Sequence, residues 1–252
     1  MTMSIDLWHQ RYLQQANWTQ NIRKYLYQKC RLRNATRVLD VGCGTGALEK
    51  EYPENTAGSI FGVDIDIKRL QFAKKYSSTT VYSTSDCRCL PFSAATFDIS
   101  LCHFLLLWVD GVEDTLAEMK RVTHPGGYLL AMAEPDYGGR IDFPNELVQL
   151  GTWQTQALKE QGANPFTGRR LRALFSNAGL TDVEVGVLGG QWTAENPGDF
   201  ELEWQVLATD LLDNHDFQKH AKDFKTIELA SRATQQRILF VPVFYAFGMV
   251  PI

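Results

Sequence analysis

Val38-Leu39-Asp40-Val41-Gly42-Cys43-Gly44-Thr45-Gly46 is a short apolar run that empties into three glycines, each separated by one residue. Such a strand-to-glycine junction lets the backbone turn sharply and approach a ligand with no side chain in between. The spacing is G-x-G-x-G and no Gly-Lys-Ser/Thr follows, which argues against a P-loop and weakens a dinucleotide reading. Ser59-Ile60-Phe61-Gly62-Val63-Asp64 is a second strand. Its terminal acid stands roughly 20 residues past the glycines, where a carboxylate can hold both hydroxyls of a ribose. Asp86 follows a third, weaker strand, Thr80 to Ser83. Glycine-rich or acidic strand ends thus gather at one sheet edge, the expected crevice of an open α/β sheet. Asp66 begins the helical stretch after the second strand and reads as its cap.

Farther along, Phe97 to His103 forms a fourth strand, Asp110 to Val122 an amphipathic helix, and Pro125-Gly126-Gly127 a turn before the strand Tyr128 to Ala133. Alternating strands and helices predict a parallel sheet. Ahead of it, Asp6 to Leu32 spaces its apolar residues as one or two amphipathic helices. Behind it come helical stretches at Asn145–Gln161 and Gly168–Ala178, then a sixth strand at Val183–Leu188. Pro197-Gly198 opens a long polar helical stretch, Asp199 to Arg237, whose charges read as a solvated face. The chain ends on a strand from Ile238. A helical excursion entering beside the carboxyl edge suggests a lid hinged at Pro197-Gly198.

Composition narrows the function. With 252 residues, 44% of them hydrophobic and 21% charged, the chain can bury a full core. A net charge of −4, from 25 basic and 29 acidic residues, lacks the basic excess of proteins that live on phosphate backbones. No nucleic-acid partner is expected. Met1 to Trp18 has no apolar core of a secretory leader, and five cysteines are an odd count, so a cytoplasm with reduced thiols is expected. The apolar ending, Ile238 to Ile252, carries Pro242, Gly248 and Pro251. It falls short of the roughly 20 residues a membrane span needs.

The glycine loop, Gly62-Val63-Asp64-Ile65, Asp86, Leu90-Pro91-Phe92, Phe97-Asp98 and Pro125-Gly126-Gly127 together resemble, in order and spacing, the class I S-adenosylmethionine-dependent methyltransferases. The similarity is closest to their small-molecule branch, which includes ubiquinone/menaquinone-type enzymes. It covers about 37–133, and Phe240 to Gly248 looks like that branch's last strand. The resemblance implies a doubly wound seven-stranded Rossmann-like sheet with an N-terminal helical cover (1–36) on a methyltransferase domain (37–252), with helical insertions at about 140–178 and 197–237. It implies S-adenosylmethionine as cofactor, S-adenosylhomocysteine as product, and a small organic acceptor. A methyltransferase acting on RNA or protein, or a non-catalytic cofactor-binding regulator, are the alternatives.

Residue by residue, the resemblance implies that Gly42, Gly44 and the Asp40–Gly42 backbone hold the methionine part of the cofactor. Asp64 takes the ribose hydroxyls, Ile65 lies against the adenine, and Asp86 with the Cys87 amide reads its edge. Cys102 and His103 line the wall near the sulfonium. Relatives often carry Leu-His-His beyond this point, where this chain has Leu106-Leu107-Trp108. In the leading helix, Tyr12 is expected to cover the sulfonium and Arg11 to pair with the cofactor carboxylate. Glu134 to Arg140 follows the fifth strand directly, so His103, Asp136 and Tyr137 are the candidates for deprotonating or orienting an acceptor. Phe143, Trp153, Phe166, Trp192 and Trp204 are candidates for an apolar acceptor pocket. Cys87 and Cys89 form only a C-x-C, too little for zinc, and no metal is expected. His9, His215 and His220 show no partner in the sequence.

Overall fold

The computed structural model describes residues 3–52, 56, 58–76, 79–189 and 197–252; Trp192 lies outside them. Two helices lead, α1 (Ile5–Trp18) and α2 (Gln20–Lys29), the first capped by the Ser4 hydroxyl, which accepts from the Leu7 amide. Five strands then build a parallel sheet: β1 (Arg37–Val41), β2 (Ser59–Asp64), β3 (Val81–Thr84), β4 (Phe97–Cys102) and β5 (Thr123–Pro135). Helix α3 (Ile67–Ala73) joins β2 to β3, and its cap is Asp66, accepting from Lys68 and Arg69. Helix α4 (Val112–Val122) joins β4 to β5.

After β5 come β6 (Ile141–Phe143), α5 (Val148–Glu160), α6 (Leu171–Asn177), β7 (Thr181–Leu188), α7 (Pro197–Asp210), α8 (His215–Ala233), β8 (Ile238–Phe240) and β9 (Val243–Met249). The main sheet has seven strands in the order β3-β2-β1-β4-β5-β9-β7, with β9 antiparallel to both its neighbours. The expected doubly wound, seven-stranded architecture is the one found. The apolar ending does not form a single strand: it is divided before β9, and β8 pairs with β6 in a separate two-stranded sheet. Pro242, between the two, has no amide hydrogen to continue a ladder.

Strand β1 is buried along 38–41, as a central parallel strand covered on both faces must be. One face packs Leu39, Val41, Val63, Phe97, Leu116 and Met119 with α4 and α6; the other packs Val38, Ile60, Ile99, Leu130 and Met132 with Leu26 and Tyr27 of α2. A separate apolar cluster, Leu147, Leu150, Leu207, Leu211 and Phe217, holds α5, α7 and α8 together. The order reverses between β1 and β4, so their carboxyl ends diverge into a crevice.

The charged residues of Asp199–Arg237 do not all form a solvated face. Arg237 and Glu228 are buried and paired at 2.8 Å, and Arg237 also holds Asp142 of β6 at 2.8 Å. Arg140 holds Asp142 at 2.6 Å, and Arg232 joins Glu228 at 2.9 Å and Glu203 at 3.1 Å. Through Gln154 the network continues from Arg140 to Asp210. Hydropathy alone assigns these residues to solvent; Arg237 and Glu228 are desolvated because the network closes with partners from distant elements, Asp142 being 95 positions from Arg237. Among the described residues, no helix is long and apolar enough to cross a membrane.

Candidate active site

At the carboxyl edge lies a cavity of about 650 Å³, within the size range of small-molecule sites. Its floor is the turn after β1. Gly42 and Gly44 both adopt the left-handed region, at φ +73° and +55°. The Leu105 Cδ1 methyl lies 2.6 Å from where a Gly42 Cβ would stand, and the positive φ itself favours glycine there. The Gly42 and Cys43 amides donate to Val63 O at 2.8 and 3.0 Å, which ties the turn to β2.

Asp64, at the end of β2, is buried and lines the cavity. Its Oδ2 accepts from the Gly44 amide at 2.9 Å and its Oδ1 from the Asp66 amide at 2.8 Å. Each carboxylate oxygen keeps a lone pair for a hydroxyl. Ile65 next to it is 71% exposed and also lines the cavity, an apolar surface with nothing packed on it that suits a flat ring. Asp40 is buried beneath, accepting from the Tyr52 hydroxyl at 2.7 Å, and burial pushes its carboxyl up to about 7. Asp86 and Cys87 line the far wall. Arg88 grips both oxygens of Asp86, Nε on Oδ1 and Nη2 on Oδ2, and holds its carboxyl down to about 2. The Cys87 thiol lies 3.3 Å from the Thr115 hydroxyl.

Helix α1 closes the cavity with Trp8, Tyr12 and Gln15, one face at helical spacing. The Tyr12 ring sits 3.6 Å from where a Gly44 Cβ would stand, with Arg69 over it at 5.8 Å. His9 does have partners: its Nδ1 meets the Thr45 hydroxyl at 2.8 Å, and its ring stacks on Tyr76, pinning α1 to the glycine loop. Arg11 does not line the cavity. Its guanidinium donates to Gln14 Oε1 at 2.6 Å and lies over Trp18 at 4.6 Å, while Gln14 reaches Asp199 of α7. The Arg11 charge acts on Tyr137, which lines the cavity, and on Glu203 and Asp210 of α7, so the residue lies where α1 meets α7 and the Tyr137 wall.

The opposite end is walled by the segment after β4 (Phe104, Leu107, Trp108), by the end of β5 and the turn after it (Pro135, Tyr137), and by the end of α5 with its C-cap (Leu158, Gln161). His103 and Tyr137 belong to this wall; Cys102 and Asp136 do not. Cys102 is fully buried in the core, because residues alternate faces along β4 and its neighbour His103 takes the cavity side. Asp136 is buried and saturated: Arg169 donates to it from Nε, Nη2 and the backbone, and Gly138 from its amide. A carboxylate so engaged is a fastener for the turn rather than a free base. Burial and the Arg23 charge hold His103 well below the ordinary imidazole range, so it is neutral at physiological pH. Glu134 is fully buried, accepts from the amides of Leu105, Leu106 and Leu107, and is pushed up to about 7 by burial. It fixes the loop that presses Leu105 onto Gly42 and turns Leu107 into the cavity. Of the aromatic pocket candidates, Phe143, Trp153, Phe166 and Trp204 lie outside the lining, and Trp153 and Trp204 pack in the insertion's own core.

Comparison with known proteins points to methyltransferases. Residues 39–131 match the model of the methyltransferase domain family. A malonyl-[acyl-carrier protein] O-methyltransferase of Erwinia pyrifoliae is 34% identical over 121 residues, 47% of this chain and 45% of that one. An uncharacterised methyltransferase of Schizosaccharomyces pombe is 32% identical over 174 residues, 64% of this chain and 62% of that one. A mouse mitochondrial arginine-hydroxylase, NDUFAF5, is 29% identical over 174 residues, 68% of this chain and 49% of that one. The chain thus matches roughly half the length of these relatives. Among solved structures, Bacillus subtilis YcgJ superposes with a TM-score of 0.60 at 14% identity, over 92% of this chain and 99% of that one. Phosphoethanolamine N-methyltransferase 2 of Haemonchus contortus, bound to S-adenosylmethionine, gives 0.56 at 13% identity, over 87% and 50%. The seven-stranded fold is the one shared with these methyltransferase structures, and residues 39–131 carry the match to the methyltransferase domain family.

Proposed function

We propose, from the methyltransferase domain that residues 39–131 match, that the protein transfers a methyl group from S-adenosylmethionine to a small organic acceptor. The observation that carries this reading is the continuity of the cavity. One space runs from Gly44, Asp64 and Asp86 to the largely apolar chamber of Phe104, Leu107, Pro135 and Leu158. The donor set at the first end fits the cofactor: a glycine turn for its methionine part, Asp64 for two hydroxyls, Ile65 for a flat base, and an ionisable Asp40 beneath a cationic group. When bound, the cofactor supplies a methyl on a positively charged sulfur.

Displacement at such a methyl is in-line and cancels charge, so alignment and the exclusion of water contribute most. Leu107, Phe104 and Leu158 exclude water from the chamber, and Leu105 and Tyr12 pin the glycine turn from two sides. Tyr137 and Gln161 offer the polar groups that orient an acceptor. The helices α1 and α2 act as a cover and residues 197–237 as a second one, joined by Gln14 and Asp199. The net charge of −4 favours a small acceptor over RNA.

The test is release of S-adenosylhomocysteine with a panel of alcohols, phenols, amines and organic acids, including a carrier-linked malonyl group such as the O-methyltransferase relatives are named for. Turnover of at least one small acceptor well above background is expected. Turnover on RNA or protein alone would replace this reading, and binding without any turnover would favour a regulatory role.

A further inference from the structure

His103 stands at the end of a buried polar chain that the mechanism above does not use. Arg23 of α2 is fully buried and gives Nε to Glu51 at 3.0 Å, with Nη2 on the same carboxylate. Its Nη1 donates to Ala16 O at 2.6 Å and to the Thr19 hydroxyl. Thr19 is fully buried too, between α1 and α2. Its Oγ1 lies 2.9 Å from Gln15 O and 2.8 Å from His103 Nε2.

Proton counting then fixes the imidazole. A hydroxyl has one hydrogen and two lone pairs. Arg23 is a donor only, so it occupies one lone pair of Thr19. Gln15 O and Ala16 O, at 2.9 and 3.4 Å, are acceptors only, so the single hydrogen points to this carbonyl pair. What remains facing His103 is a lone pair, and Nε2 must carry the proton that fills it. The Nδ1 of His103 has no hydrogen-bond partner among the described residues, and the ring lines the cavity, set edge-on to Phe104 at 4.8 Å. One tautomer is thus selected by a partner on the ring's other nitrogen.

We propose that Thr19 and Arg23 are positioning residues that hold His103 as its Nε2–H tautomer, so that a bare Nδ1 receives a hydrogen bond from an acceptor whose nucleophile carries a proton, a hydroxyl or an amine. This rests on the methyl-transfer reading and narrows its acceptor class. The lone pair of the nucleophile forms its bond to the methyl carbon as the carbon–sulfur bond breaks and that pair goes to sulfur. The nucleophile's proton, made acidic by the new bond, passes to Nδ1 and then to water. The Arg23 charge disfavours an imidazolium, so the proton moves late, and Nδ1 acts first by aiming the nucleophile.

Nitrogen-15 spectra of histidine-labelled protein read the tautomer directly, with His103→Gln used to assign the signal. The expected wild-type result is a neutral Nε2–H ring from pH 8 down to pH 6. Thr19→Val keeps the shape, removes the hydroxyl, and should mix the tautomers. With a hydroxyl or amine acceptor it should lower kcat roughly tenfold or more and leave KM for S-adenosylmethionine within about threefold. Thr19→Ser should restore both readouts. An Nδ1–H ring in the wild type overturns the proposal, as does a folded Thr19→Val with unchanged tautomer and kcat, or turnover confined to carboxylate acceptors. Should Thr19→Val not fold, the wild-type spectrum and Thr19→Ser still decide. If no acceptor of any kind turns over, the methyl-transfer reading fails, while the spectrum reports on the tautomer independently.

Discussion

The two ends of the cavity are made of different material. At the cofactor end the main chain does the shaping: Gly42 and Gly44 in left-handed conformations, amides tied to Val63 O, and Asp64 held by the Gly44 and Asp66 amides. At the acceptor end side chains from the segment after β4 and from α5 do it, and Gln161 there leads through Asp210 and Gln154 to the ion network of Arg140, Asp142, Arg237 and Glu228. A site drawn by the backbone needs few residues close together in sequence. A site drawn by side chains on an insertion can change its acceptor without touching the cofactor, but it rests on pairings that are costly to break.

That contrast implies opposite responses to mutation. The largest effect is expected in the insertion: Arg237→Met leaves Asp142 and Glu228 buried with one cation fewer, a loss of about 3–5 kcal/mol. At roughly 2–4 °C per kcal/mol for a chain of this size, the melting temperature should fall by about 10 °C. Pairing Arg237→Met with Glu228→Leu should recover part of that loss, because no unpaired carboxylate is then left on α8. Heat-scan melting that does not respond to Arg237→Met would show that the network is solvated after all.

The glycine loop, Asp64 and Asp86 were legible because strand, turn and acid follow one another within a local pattern. Cap Asp66 was legible for the same reason. Cys102 and His103 both read as wall residues, but the sequence does not say which face each takes at the end of β4, and only His103 reaches the cavity. Asp136 looked like a base because its saturating partner, Arg169, comes from 33 positions away. The solvated reading of Asp199–Arg237 holds only in part for the same reason, since a charged helix has the same pattern whether its partners are water or Asp142. The α1 face of Trp8, Tyr12 and Gln15 carries a readable signal in its helical spacing, of which the sequence reading uses only Tyr12.

At the cofactor end the expected effects are on binding, not on folding. Asp64→Ala removes a charged acceptor worth roughly 1.5–3 kcal/mol per hydrogen bond, so affinity for S-adenosylmethionine should drop at least about tenfold. The melting temperature of the unliganded protein should change far less than in Arg237→Met. Loss of folding together with affinity would erase the distinction between the two ends.

A smaller, pH-dependent effect sharpens the same point. Asp40 is pushed up to about 7 by burial, so it is largely neutral at pH 6 and ionised at pH 8. A cationic cofactor prefers the ionised form; its affinity should therefore fall as pH drops below about 7, by at most roughly tenfold per unit. Binding at pH 6.5 should release protons, seen as a dependence of the calorimetric heat on the buffer. Asp40→Asn should abolish that dependence. His103, neutral throughout, should add no limb near pH 6.5.

Calorimetry of the purified chain with S-adenosylmethionine, S-adenosylhomocysteine and NAD in parallel tests the assignment of the cavity most directly. Binding of both sulfur compounds at one site, weakened by Asp64→Ala, with no heat from NAD, is the expected result. Heat from NAD with S-adenosylmethionine ignored, or S-adenosylmethionine bound equally well by a folded Asp64→Ala protein, would contradict it.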